Sequence, residues 1–254
     1  MAPHQRRVAV RVPQVERENA IATLIDLAPQ GFEESDQGGD VELAVYTDSV
    51  GESRLRMAFG AVRSTPLEPG WEDAWRAFHR PVTAGGVWVG PPWLDTPAGL
   101  PVVVIDPGRA FGTGAHPTTR LCVELLADTE SGSLLDVGCG SGVLSVVAAR
   151  LGFSPITAVD VDPVAVEVTR ANALLNGVRL TARVVDATAG ELPVADVAVA
   201  NVSLEIVENI LVRTAAPVAV TSGYLEGECP AHDVWRCNAT RILDGWAAHR
   251  FARL

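Results

Sequence analysis

The run Asp136-Val-Gly138-Cys-Gly140-Ser-Gly142 gathers three glycines behind one acid. The apolar stretch Leu134–Val137 leads into it as a predicted strand, and a helix is predicted over 141–151. Glycine lets a backbone adopt positive φ and approach a ligand closely. A helix start adds unpaired N–H groups. The next predicted strand, Ile156–Asp160, ends on a second acid 22 residues after Gly138. A carboxylate placed there can accept both ribose hydroxyls of a nucleoside. A turn needed only for packing would leave both the acid and the three glycines as coincidence.

Two cofactor classes use such an acid. A nicotinamide dinucleotide needs G-x-G-x-x-G so that its pyrophosphate sits on the helix start. Here the spacing is G-x-G-x-G, with Val143 where the third glycine would fall. Asp136, just before the loop, repels phosphates and suits a cationic sulfonium. These features favour S-adenosylmethionine, with Asp136, Gly138, Gly140 and Asp160 as candidate contacts. A dehydrogenase is the more distant reading.

Upstream runs Ile105-Asp-Pro-Gly-Arg-Ala-Phe-Gly-Thr-Gly-Ala-His-Pro-Thr-Thr119. Gly108, Gly112 and Gly114 predict a flexible cover carrying one aromatic, Phe111. Pro117 fits the first turn of a following helix. Loops this rich in special residues commonly carry function. His116 is a candidate general base, because histidine titrates near neutrality; a structural hydrogen bond is the competing role. Asn201 closes Asp196-Val-Ala-Val-Ala-Asn at the carboxyl edge of a fourth strand, where ligands bind in open α/β sheets. Its amide oxygen is placed to accept from an incoming amine; the alternative is a turn asparagine. Asp186, ending the third strand, is a candidate for the adenine amino group or a surface acid.

These groups need a scaffold, and the hydrophobic pattern supplies one. Beyond Val102, predicted strands (134–137, 156–160, 182–186, 197–200, 218–222) alternate with predicted helices (141–151, 163–176, 204–213). That alternation implies a parallel sheet with helices on both faces. Segments 234–242 and 246–251 flank Asp244-Gly245, an antiparallel hairpin signal. The fold class is therefore α/β: a doubly wound, Rossmann-like sheet of the class I methyltransferase kind, with an antiparallel C-terminal hairpin. Strands at 8–12, 32–35, 41–46 and 61–64, with helices at 15–27 and 51–59, match a ferredoxin-like βαββαβ unit. The divisions are 1–66 for that small α+β domain, 67–101 for a connection, and 102–254 for the catalytic domain. The connection holds Trp71, Trp75, Trp88 and Trp93, and a helix presents Trp71, Trp75 and Phe78 on one face.

Composition excludes several classes. The chain has 254 residues, 48% of them apolar, with net charge −11. That charge opposes gripping nucleic acid by its phosphates and suits a basic partner. All 20 basic residues are arginine, so an enzyme acting on lysine amines would find none on itself. No apolar run is long enough to span a membrane, and the polar, basic start lacks a signal-peptide core. Cys122, Cys139, Cys229 and Cys237 show no metal spacing and are expected reduced, which fits the cytoplasm. His4, His79, His232 and His249 show no ligand spacing either, and no metal is expected.

The stretch from Asp106 to Thr119 resembles the D-P-G-x-A-F-G-T-G-x-H-P-T-T signature of PrmA-type ribosomal-protein methyltransferases. Trp71-Glu72 to Pro81, Gly90-Pro-Pro-Trp93 and Leu135 to Leu144 agree with it. The resemblance spans nearly the whole chain. It implies methylation of lysine side chains and the N-terminal α-amine of large-subunit ribosomal protein eleven. It also implies a substrate-recognition role for the ferredoxin-like unit, and cofactor contacts at Thr119, Gly138, Asp160 and Asn201, with Phe111 and Gly112 in the covering loop. Two stretches depart from the family: Val202-Ser203-Leu204-Glu205 after Asn201, and a short span from Tyr224 to Trp235. Both lie on the substrate side. A methyltransferase for another protein or a small amine, and a non-catalytic domain binding cofactor or partner, therefore stay open. No Pro-Pro-aromatic follows Asn201, which disfavours adenine or glutamine acceptors.

Overall fold

The computed structural model describes residues 6–28, 32–67, 80–106 and 114–254. The chain divides into two compact units, Met1–His79 and Arg80–Leu254.

The first unit runs β1 (Arg6–Pro13), a short 3-10 turn (Gln14–Glu16), α1 (Arg17–Leu27), β2 (Glu33–Asp36), β3 (Asp40–Thr47), α2 (Ser49–Phe59) and β4 (Arg63–Pro66). Its sheet has the order β2-β3-β1-β4 with every neighbour antiparallel. That is the ferredoxin-like arrangement the sequence predicts. Alternation along β1 and β3 sorts the side chains by face. Val8, Val10 and Val12 pair across from Val45, Leu43 and Val41, and all six are buried. The opposite face is polar. Arg7 donates to Glu33 and Glu42, Arg63 donates to Glu42, and the Tyr46 hydroxyl donates to Glu33. This lattice roofs the Ala9–Ala44 pair, so two small residues lie buried under charged ones. Burial and Glu33 push the Tyr46 phenol up to about 12. The helix expected over 15–27 starts two residues later, because Gln14–Glu16 forms the 3-10 turn first.

The second unit opens with three short strands, two of them within the stretch 67–101 that the sequence presents as a connection. β5 (Val82–Ala84), β6 (Val87–Gly90) and β7 (Val102–Val104) form a three-stranded sheet. The aromatic face at Trp71, Trp75 and Phe78 lies outside the described residues. Then come α3 (Pro117–Ala127), β8 (Leu134–Val137), α4 (Val143–Arg150), β9 (Ile156–Asp160), α5 (Pro163–Leu175), β10 (Thr181–Val184), β11 (Val197–Asn201), α6 (Leu204–Arg213), β12 (Val218–Leu225), β13 (Trp235–Leu243) and β14 (Trp246–Arg253).

The large sheet has the order β10-β9-β8-β11-β12-β14-β13. Neighbours from β10 to β12 are parallel, and β14 runs antiparallel between β12 and β13. β8 and β11 are apolar almost throughout because both of their faces are covered. On β8, Leu135 and Val137 join Val207, Ile210 and Leu211 of α6 in one core. Asp136, between them, points the other way and meets Ser145 of α4. Asp244 and Gly245 both have positive φ (50° and 80°), the geometry of the tight hairpin turn their sequence predicts.

Among the ends that differ from expectation, three lie close to the candidate site. α4 starts at Val143 because Gly142, at φ 80°, forms its N-cap. β10 stops at Val184, which leaves Asp186 in the turn beyond it. β12 runs on to Leu225 through a bulge at Gly223, and the following segment to Trp235 holds no helix.

Asp48 caps α2 by accepting from the N–H groups of Val50 and Gly51, each at 2.9 Å. Replacing it by alanine is expected to cost about 1 kcal/mol of stability. The urea midpoint of Asp48→Ala at unchanged slope measures this.

Candidate cofactor and acceptor site

The glycine loop is built from β8 outward. Gly138, Gly140 and Gly142 all take positive φ (73°, 53° and 80°). Gly138 and Cys139 donate to the Val159 carbonyl at 2.9 and 3.1 Å, which pins the turn to the neighbouring strand. A Cβ on Gly138 would sit 2.5 Å from Val202 Cγ1, and one on Gly142 would sit 3.0 Å from the Thr169 backbone. Glycine is required at both positions by conformation and by space.

Asp160 closes the loop from the side. Its Oδ2 accepts from Gly140 N–H and its Oδ1 from Asp162 N–H, both at 3.0 Å. A carboxylate has about four lone-pair sites. Each oxygen therefore keeps capacity for a hydroxyl. Val161 follows at 68% exposure and offers an apolar surface beside the acid.

Asp136 lies beneath the loop, only 1% exposed. Ser145 Oγ donates to it at 2.6 Å. Burial pushes its carboxyl up to about 6, against the Ser145 hydrogen bonds that lower it. The acid that the sequence sets before the glycines is thus an interior group.

The other part of the candidate site is formed by the end of β11 and the start of α3. Asn201 Nδ2 donates to Thr119 Oγ1 at 3.2 Å, and Thr119 itself is buried. The contact joins residues 82 apart in the chain. With Nδ2 on Thr119, the Oδ1 of the amide serves as its accepting atom. Gly223, at φ 107°, lets the Val202 backbone approach: a Cβ there would sit 2.1 Å from the Val202 carbonyl oxygen. Val202 N–H in turn donates to the Ser222 carbonyl at 3.1 Å.

His116 is the N-cap of α3. Its Nδ1 accepts from Thr118 N–H at 3.4 Å and lies 2.8 Å from Thr118 Oγ1. Its ring meets Trp246 edge-on, with centroids 5.0 Å apart. Asp186 accepts from the backbone and hydroxyl of Thr188 in an exposed turn, and these bonds hold its carboxyl below the usual range. Phe111 and Gly112 lie outside the described residues.

Sequence reasoning missed the groups on α5 that grip the loop from behind. Thr169 Oγ1 donates to the Gly140 carbonyl at 3.0 Å. Asn172 Nδ2 donates to the Ser141 carbonyl at 2.9 Å. The available signal was two asparagines four apart in Ala171-Asn-Ala-Leu-Leu-Asn176. Asparagine is disfavoured in a helix interior unless its side chain has another task.

Among the described residues, no three His, Cys, Asp or Glu side chains form a metal-holding group, and no helix is long and apolar enough to cross a membrane. All four cysteines are free thiols. The donor set fits a nucleoside: side-chain-free glycines, a strand-end carboxylate with capacity to spare, and an apolar neighbour at Val161. A pyrophosphate would meet Asp160 without any described basic side chain on the loop.

Strand order, glycine loop and strand-end acid define the class I methyltransferase fold. A crystal structure of ribosomal protein L11 methylase from Lactobacillus delbrueckii subsp. bulgaricus shares it, with TM-score 0.62 and 22% identity over 68% of this chain and 98% of that one. The family model for ribosomal protein L11 methyltransferase (PrmA) matches residues 32–226, so the chain belongs to that family. A relative of that name from Symbiobacterium thermophilum is 35% identical over 233 residues, covering 84% of this chain and 77% of the relative. Another, from Dictyoglomus thermophilum, is 37% identical over 167 residues; there the match covers 62% of this chain and just over half, 56%, of the relative.

A carboxyl whose folded pKa is raised contributes stability below its unfolded pKa, and that contribution is lost as pH rises through the folded value. For Asp136 the window runs from about 4, the ordinary aspartate value, to about 6. The urea midpoint of the wild type is therefore expected to carry a falling component across that window. Asp136→Asn should remove it, and superimposable pH profiles for the two proteins would refute the assignment.

Proposed function

We propose that this chain transfers methyl groups from S-adenosylmethionine to amines of ribosomal protein L11, at lysine side chains, the N-terminal α-amine or both, in the cytoplasm. The observation that carries the reading is the Asp160 carboxylate bonded to Gly140 N–H, at the edge where the glycine loop and Asn201 also end. Family membership supports the reaction and the acceptor. The net charge of −11 suits a basic protein partner rather than nucleic acid.

When bound, S-adenosylmethionine supplies a methyl group made electrophilic by its sulfonium. Gly138 and Gly140 bring bare backbone to the cofactor's amino-acid end, and Asp160 holds the ribose hydroxyls. Asn201 Oδ1 accepts from the incoming amine and aims its lone pair, while Thr119 keeps the amide from rotating. Alignment of this kind is worth about 7–11 kcal/mol in favourable cases. The amine must first shed a proton, since a lysine has a reference pKa of about 10.4. The sequence offers His116 as the base, and the fold uses its Nδ1 as a helix cap.

Replacing His116 by asparagine separates those roles, because asparagine also caps helices well. Retention of the rate within a few-fold is expected for the cap. A loss of about 10²–10⁴ would assign the base. Asp160→Ala is expected to abolish cofactor binding in calorimetry, and unchanged affinity would sink the site assignment. Intact-mass measurement of ribosomal proteins, incubated with enzyme and cofactor, should show additions of one methyl mass or its multiples on L11. Label on other proteins instead would move the acceptor, and no label on any would leave a binding domain.

A further inference from the structure

We propose that Asn172 is a positioning residue that couples the glycine loop to the backbone of Asp106, so that cofactor affinity depends on a helix amide that touches no ligand. The inference rests on the cofactor reading above.

Asn172 sits on α5 and is 1% exposed. Its Oδ1 accepts from Asp106 N–H at 3.0 Å. Its Nδ2 donates to the Asp106 carbonyl at 3.2 Å and to the Ser141 carbonyl at 2.9 Å. One side chain thus bridges α5, the glycine loop and the segment leaving β7. Asp106 is also the first residue of the signature stretch that ends at Thr119.

The reason lies in the edge of a sheet. Among the described residues β7 pairs with β6 on one side only, where Ile105 N–H donates to the Gly90 carbonyl. The alternate residues Val104 and Asp106 meet Asn176 and Asn172 of α5 instead. Two asparagine amides take the place of a strand. Asn176, one turn beyond Asn172, accepts from Val104 N–H at 2.8 Å and donates to the Val104 carbonyl at 2.6 Å. The two clamps differ in the third bond. The Asn176 amide returns to its own helix, at the Asn172 carbonyl, whereas the Asn172 amide reaches the loop.

Asn176 is therefore the internal control. A merely structural role predicts that Asn172→Ala and Asn176→Ala lose thermal stability and cofactor affinity in parallel. Positioning predicts similar losses of melting temperature but different affinities. For S-adenosylhomocysteine titrated into the full chain, Asn172→Ala is expected to weaken Kd about tenfold, within the usual range of site coupling, and Asn176→Ala less than about twofold. In the wild type the same ligand should slow hydrogen exchange at the Asp106 amide, and Asn172→Ala should abolish that slowing. Equal affinity losses in the two variants, or unchanged affinity in Asn172→Ala, would overturn the proposal. Should Asn172→Ala fail to fold, the wild-type exchange decides alone: an Asp106 amide indifferent to ligand refutes the coupling. A wild type that binds no S-adenosylhomocysteine fails at the cofactor assignment itself, a result distinct from binding without coupling.

Discussion

β8 is hydrogen-bonded to β9 on one side and to β11 on the other, and the site depends on that double pairing. The chain leaves β8 through α4, which packs on the face that Asp136 looks toward, and leaves β11 through α6 on the opposite face. Where connections part in this way, a crevice opens at the carboxyl ends of the strands. Gly138 follows β8, and Asp160 and Asn201 close its two neighbours β9 and β11, so one register brings them to one edge. A slip of one residue would turn Asp136 toward the apolar α6 core and Leu135 toward Ser145.

Holding a glycine loop in one shape is costly, because glycine loses more backbone freedom on folding than other residues. The second unit offsets that with buried polar contacts from behind. Ser145 meets Asp136, Thr169 meets Gly140, and Asn172 meets Ser141. A buried polar group left unpaired costs about 1–3 kcal/mol. The loop, the helix α5 and the edge of β7 therefore stand or fall together. Asp136 is the tense member of the set, a carboxyl pushed up to about 6 by its own burial.

The ferredoxin-like unit solves a related problem with charge. Its polar face is knitted by Arg7, Arg63, Glu33 and Glu42 over the small Ala9–Ala44 pair. Arginine's planar fork serves two carboxylates at once at Arg7, which a lysine ammonium would do less well. The chain's exclusive use of arginine thus has a structural outlet here, whatever its origin.

Much of this was legible from residue order. Period-two and helical patterns, glycine turns and the Asp-Gly hairpin are local signals, set by backbone sterics and by which face is apolar. They carried the element order of the first unit, that of the second from α3 onward, and the glycine loop with its Asp160 partner. The β5, β6 and β7 strands were hidden because three or four residues leave too short a pattern, and around the first two tryptophan and proline suggested a connection instead. Long-range pairings were illegible for a different reason. That Asn201 meets Thr119, that His116 spends Nδ1 on a cap, and that Asn172 ties Asp106 to Ser141 depend on where distant elements are packed. By itself, the sequence determined which backbone turns could form and which acids could end strands. Only the tertiary structure decided that Asp136 is interior, because burial belongs to the layers packed around a residue and not to its neighbours in the chain.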